Sequence, residues 1–394
     1  MSNSSDDLDK FAFENKSSEN TSEDGDDFND FRESAEYESE KENLEDYEYK
    51  SIDGIDPDDQ PQLILRCLVK RDINGLKRLA INGGLVNDDL RKMVWPRLAK
   101  VHIVETSPRP DALTIESHPF YNQVLLDVNR SLKRFPPSIQ EHHRLSMQDQ
   151  LVKLIMRVLI KNPSLCYYQG YHDICVTFLL VLGEEMAFYV VNKISITHLS
   201  LFMEKTMDST CDLLTIVENL IKLEHQQLGE HLEQAEVGNI YSLSWIITWF
   251  SHVLKNYNDV GRLFDLFLSS HPWMPIYLSV SMVLDKQDQL LALPCDMPTL
   301  HRFLTNIPEN DDLLFEPLIS KAIDLFEKHP PENLKVFMDQ AKRKRLKEIR
   351  SKQSLVKRIF NFGISSFFSI KFMSITIMIV VFASFIQYFN IYKR

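Results

Sequence analysis

Between Gln62 and His329 the apolar residues recur at intervals of three and four, and this spacing limits what the chain can fold into more than any other feature. Leu151, Val152, Ile155, Met156 and Leu159 form one such stripe; Leu213, Leu214, Val217, Leu220 and Ile221 form another. A stripe of that period covers one side of an α-helix, whereas a half-buried strand needs period-two alternation, of which no clear run occurs. Only 11 glycines are present in 394 residues. Breaks at Pro136-Pro137, Lys161-Asn162-Pro163 and Pro330-Pro331 cut the pattern into segments of helix length. The expectation is an all-α, multi-helix domain spanning 61–330. No fixed-period repeat is found, which argues against a regular solenoid.

The net charge of −12 is unevenly placed. Residues 1–50 hold 18 acidic and 5 basic groups, leaving 38 and 39 for the rest of the chain, so the predicted domain is close to neutral. Residues 1–60 are too polar to offset the entropy of ordering them and are expected to be a disordered acidic tail. They contain no basic n-region followed by an apolar stretch, so no secretory signal is read there. The five cysteines are widely spaced with no C-x-x-C pair, and are expected to be reduced core thiols of a cytosolic domain.

After Pro331 the chain reads as a basic helical linker, 331–358, with nine Lys/Arg between 341 and 360 and one acid, Glu348. A nucleic-acid surface would interleave aromatic residues with the charges, and none lies between Lys342 and Lys357. The expectation is instead a membrane partner. Residues 359–394 read as a C-terminal membrane segment containing an uncharged 18-residue stretch, Phe372 to Phe389, which as a helix reaches about 27 Å. The adjoining positive charge places the domain on the cytosolic side, and the short span suits the thin endoplasmic reticulum bilayer. The apolar segment 359–370 is readable either as an interfacial helix or as half of a membrane hairpin.

Signatures of chemistry carried by the chain alone are missing: no phosphate-binding glycine loop, no dinucleotide fingerprint, no H-E-x-x-H and no G-x-S-x-G. The 12 histidines lack metal-ligand spacing. No metal, cofactor or small-molecule substrate of its own is expected.

Two segments remain. In Val124-Leu125-Leu126-Asp127-Val128-Asn129-Arg130, Asp127 and Arg130 are three residues apart and share a helical face; alone, such a pair is an ordinary surface ion pair. In Tyr167-Tyr168-Gln169-Gly170-Tyr171-His172-Asp173, the Gln-Gly step alone is an ordinary turn. Together and in this order, about 40 residues apart in an all-α domain, they resemble the TBC domain of Rab GTPase-activating proteins. That family carries I-x-x-D-x-x-R and Y-x-Q-G motifs, matched here by Val124/Asp127/Arg130 and Tyr167/Gln169/Gly170. The stretch Leu90-Arg91-Lys92-Met93-Val94-Trp95-Pro96 resembles the family's opening L-R-x-x-V-W-P. Trp245, Thr248, Phe250 and His252, followed by Arg262-Leu263-Phe264-Asp265, resemble its third conserved block. Val124 in place of Ile, and Tyr168, Tyr171 and His172 in place of Cys, Met and Asn, are the departures.

The resemblance implies acceleration of GTP hydrolysis by a Rab GTPase in its GTP state, acting on Rab-bound GTP and its Mg²⁺. Arg130 would be the arginine finger and Gln169 a glutamine finger supplied in trans. Asp127 would orient Arg130 or contact the GTPase, with Tyr167 and Gly170 in support. Arg134 is the competitor for the finger role. The resemblance also points to Rabs of the early secretory pathway. The alternative is a catalytically silent, membrane-anchored scaffold that binds or tethers Rabs.

Overall fold

The computed structural model describes residues 59–101, 107–130, 141–310, 313–351 and 354. The acidic tail up to residue 58, Arg134, and the membrane segment 359–394 with its 372–389 stretch lie outside these residues. In chain order the helices are α1 (Gln60–Lys70), α2 (Ile73–Ile81), α3 (Asp88–Leu98), α4 (Ala112–Glu116), α5 (Tyr121–Arg130), α6 (Glu141–Lys161), α7 (Tyr171–Thr197), α8 (Asp208–Glu224), α9 (Gln226–Gln234), α10 (Leu243–Ile247), α11 (Tyr257–Ser269), α12 (Met274–Asp285), α13 (Gln287–Ala292), α14 (Met297–Thr305) and α15 (Phe315–Lys328). A final helix, α16, runs over 331–351. Among the described residues there is no strand, as the apolar spacing requires.

Local chemistry sets the helix starts. Asp72, Asn87, Asp111 and Asp296 are N-caps whose side-chain oxygens accept from Gly75, Leu90, Thr114 and Thr299 amides at 2.8–3.0 Å, satisfying donors that have no partner within the helix. The two stripes picked out in the sequence are buried throughout, on α6 and α8. α7 lies between α6 and α3, and α12 packs on α15 and α8. α7 is long and apolar enough to cross a membrane on composition alone, with mean hydropathy 2.0 over its best window. Most of that window is buried inside the domain, where Phe178 meets Trp95 and Phe264, each at 5.2 Å between ring centroids. Trp249 closes the cluster against Phe264 and Phe267 at 5.3 and 5.5 Å, edge-on arrangements favoured by the ring quadrupole.

Two of the sequence motifs meet at one carboxylate. Asp265, fully buried, accepts from Trp95 Nε1 at 2.7 Å, from Arg91 Nε and Nη2 at 3.1 Å each, and from the Leu85 amide at 2.9 Å. Arg262 donates to the Ala80 and Ile81 carbonyls and pairs with Glu316 at 2.6 Å. These residues fasten the N-terminal helices to α11, so in this chain they carry architecture.

The cysteines depart from expectation. None is in a disulfide and Cys175 is in the core, but Cys211 and Cys295 are exposed. They sit on the outward sides of their segments, where a small residue carries no packing demand. The stretch expected as a linker is helical over 331–351, and its first half is docked on the domain: Leu334 is 1% exposed.

Candidate functional site

α5 turns Val124, Asp127 and Val128 inward and Asn122, Leu126, Asn129 and Arg130 outward, the division its 3.6-residue period demands. Asp127 is thus only 6% exposed. Arg130 closes the helix, where a cation complements the carboxyl end of the helix dipole. Its side chain is 73% exposed and its Nη1 lies 3.9 Å from Asp127 Oδ1. At that distance, with the guanidinium largely in solvent, the pair is a loose one.

The second segment enters after α6 stops at Lys161 and Pro163 prevents its continuation. The Cys166 amide donates to the Met203 carbonyl at 2.7 Å, and two buried tyrosines then pin the chain. Tyr167 donates its hydroxyl proton to Asp127 Oδ2 at 3.0 Å, and Tyr168 donates to the Ile247 carbonyl at 2.7 Å. Burial, reinforced by Asp127, pushes the Tyr167 phenol far above its usual range, so it remains a donor at every working pH. The next residue, Gln169, is exposed. Gly170 then starts α7 with φ 107°, and a Cβ there would lie 2.8 Å from Thr248 Cγ2. Both the dihedral and the close approach require glycine.

The hydrogen bonding runs further than the sequence suggested. His172 Nδ1 is 3.1 Å from the Tyr167 oxygen; because that oxygen gives its one proton to Asp127, the imidazole Nδ1–H is the donor here. His172 Nε2 stands 3.6 Å from Asp173 Oδ1, and Asp173 Oδ2 is 2.7 Å from His252 Nδ1. Asp173 is buried while the His252 side chain is 45% exposed. These bonds make two separate links, Asp127–Tyr167–His172 between α5 and the first turn of α7, and Asp173–His252 between that turn and the segment after α10; the 3.6 Å approach of His172 to Asp173 is too long for a hydrogen bond. Sequence reasoning had quoted His252 and the Tyr-His-Asp run only as motif neighbours. The available signal was the polar pair His172-Asp173 opening a helix whose next nine residues are nearly all apolar.

Arg130 and Gln169 are therefore brought to the surface by two segments that one phenolic hydroxyl ties together, each of these two residues within three positions of the tie. Asp127, Tyr167 and Gly170 lie beneath them. Among the described residues no cluster of His, Cys, Asp and Glu could hold a metal ion. The groups offer an always-protonated guanidinium and a neutral amide, which donate and accept hydrogen bonds but do not themselves make a nucleophile or a general base.

This is a helical domain that presents Arg130 and Gln169 at its surface. The Rab-GTPase-TBC domain family matches residues 88–291, more than half of the chain, and the chain belongs to that family. It is 46% identical over 264 residues to human TBC1 domain family member 20, covering 67% of this chain and 65% of that protein. It is 34% identical over 251 residues to the GTPase-activating protein gyp10 of Schizosaccharomyces pombe, covering 61% of this chain and 66% of that one. The match to each thus spans just under two thirds of the relative's own length. The crystal structure of the Chlamydomonas flagellar RabGAP TBC domain superposes with a TM-score of 0.50 over 76% of this chain and 96% of that one, at 16% identity, a likeness of fold alone.

Proposed function

We propose that this domain accelerates GTP hydrolysis by a Rab GTPase, inserting Arg130 and Gln169 in trans. The observation that carries the reading is the exposed pair on segments tied through Asp127 and Tyr167. During hydrolysis negative charge spreads over the transferred phosphoryl group and the leaving oxygen, and the five-donor guanidinium of Arg130 stabilises it. Gln169, which both donates and accepts, orients the attacking water in line. Asp127 aims Arg130, Tyr167 holds Asp127, and Gly170 sets the turn that exposes Gln169. The nucleotide and its Mg²⁺ arrive with the GTPase, so the domain needs no cofactor of its own. The Rabs concerned are those of the early secretory pathway. The chain acts from the endoplasmic reticulum membrane, anchored by 372–389 with the domain cytosolic. The anchor makes the full chain resist carbonate extraction; release by carbonate rules it out.

A panel of GTP-loaded Rabs assayed for phosphate release tests the chemistry. Arg130→Ala and Arg130→Lys should each lower the catalysed rate about 10³-fold or more while binding survives, since lysine keeps charge but loses the fork. Gln169→Ala should lower it by orders of magnitude, and a Rab with its own switch glutamine changed to leucine should still respond. Retained activity in Arg130→Ala together with loss in Arg134→Ala reassigns the finger. Binding without any acceleration by the parent chain would leave a silent scaffold.

A further inference from the structure

The helix that leaves the domain is built with two chemically different sides. Pro331, Leu334, Met338, Ala341 and Arg345 of α16 are buried or half-buried, a three-four-three-four spacing that lays one stripe along the domain. At its far end Arg345 grips α8: Nη2 lies 2.7 Å from Asp212 Oδ2, Nε 3.3 Å from Asp212 Oδ1, and Nη1 2.9 Å from Asp208 Oδ2. Asp212 is buried, so this bidentate pair is shielded from screening in a way that surface pairs are not. Arg345 is thereby committed to the domain, and the neighbouring basic residues are directed elsewhere. Arg343, Lys347 and Arg350, at i, i+4 and i+7, occupy the side opposite Arg345, with Lys342 and Lys344 flanking; all are exposed. Leu346, 41% exposed, borders them, while Ile349, one turn beyond Arg345, continues the inner stripe.

We propose that this outer side of α16 is a docking surface for an anionic lipid bilayer. Several cations on one helical side, with the exposed Leu346 at their border, match a headgroup layer that is negative at its surface and apolar just beneath. The absence of aromatic residues from 338–351 removes the stacking platform that a single-stranded nucleic acid needs. The chain also continues from here toward the uncharged 372–389 stretch about 20 residues on. Because Arg345 fixes the inner side of the helix to α8, lipid contact on the outer side sets the tilt of the whole domain over the membrane.

The test uses the full chain with Cys211 and Cys295, its exposed thiols, changed to Ser, and an environment-sensitive fluorophore on Ser351→Cys. The protein is added to preformed vesicles of phosphatidylcholine alone or mixed with phosphatidylserine. No GTPase is present, so the result is independent of the catalytic reading. On the mixed vesicles the emission should shift to the blue and be quenched by headgroup-labelled lipid, with both effects weakening as salt is raised. On neutral vesicles both should be absent. Arg343→Glu/Lys347→Glu/Arg350→Glu, confined to exposed positions, should lose the shift while circular dichroism stays that of the parent. Equal spectra on the two vesicle types, or an unaltered shift in the charge-reversed chain, overturns the proposal. Loss of the shift on adding duplex or single-stranded oligonucleotide, with the oligonucleotide retained on the protein, overturns it in favour of nucleic acid.

Discussion

Tyr167→Phe isolates the single hydroxyl that joins the segments carrying Arg130 and Gln169. The ring is 5% exposed and packs against Tyr171 at 6.2 Å; phenylalanine keeps that packing and deletes one oxygen. Asp127, 6% exposed, loses a donor at 3.0 Å, and the His172 Nδ1–H loses an acceptor at 3.1 Å. A hydrogen bond to a charged group contributes about 1.5–3 kcal/mol, and a buried group left unmatched costs a similar amount. The two losses share one atom and do not add, so the expected destabilisation is about 2–3 kcal/mol. For a domain of this size that is roughly a 4–12 °C fall in melting temperature. Catalysis should fall too, because Asp127 no longer has a fixed position from which to steer Arg130. A decrease of about 10–100-fold in kcat at nearly constant KM corresponds to about 1.4–2.7 kcal/mol of lost transition-state stabilisation. It should stay well short of the Arg130→Ala loss, since the proposed finger itself remains. Calorimetry and single-turnover phosphate release measure the two quantities on one preparation. A melting temperature within about 1 °C of the parent would refute the energetic argument. A lowered melting temperature with unchanged kcat would show that the tie supports the fold alone.

Two further outcomes are expected. Gly170→Ala forces a side chain into φ 107° and against Thr248 Cγ2 at 2.8 Å, which should cost about 1–3 kcal/mol in denaturant unfolding; adding Thr248→Ser removes the methyl and should restore part of it, and no recovery would place the cost in the backbone alone. The Glu185 carboxyl is held down to about 2 from its ordinary 4.5, first by its hydrogen bonds to Arg157. A depressed folded pKa stabilises above the unfolded value and loses that contribution as pH falls from about 4.5 toward 2. Glu185→Gln should therefore melt below the parent near neutral pH, modestly because the carboxylate is half exposed, and the gap should close through that acid window; a gap that widens there contradicts the assignment.

The helical class was legible because burial imposes a period on the sequence, and the α6 and α8 stripes are buried residue for residue. The placement of Asp127 and Arg130 on one helical face followed from spacing alone. What spacing could not give was the difference between them: Asp127 is sunk in the domain because Tyr167, 40 positions away, supplies its hydrogen bond, and long-range partners leave no local trace. The same limit hid Asp173 and His252, 79 positions apart. Arg91 and Asp265 stood out as motif residues, yet nothing near either in sequence reveals that each buries the other's charge. Arg345 looked like one cation in a basic run, and only Asp208 and Asp212 on α8 set it apart.

α7 has a bearing on how a newly synthesised chain is sorted. Insertion machinery that reads hydropathy as the polypeptide emerges meets residues 171–197 long before 372–389. The helix is interrupted at Gly183, whose φ 71° and ψ 167° are not helical, leaving arms of about 18 and 21 Å against a hydrocarbon layer of about 30 Å. Glu184 and Glu185 follow at once, near the middle of the segment, where an acidic side chain costs insertion about 2.5–3.5 kcal/mol on the scale measured for aspartate. The glycine break and the two carboxylates thus raise the cost of placing this helix in a hydrocarbon layer.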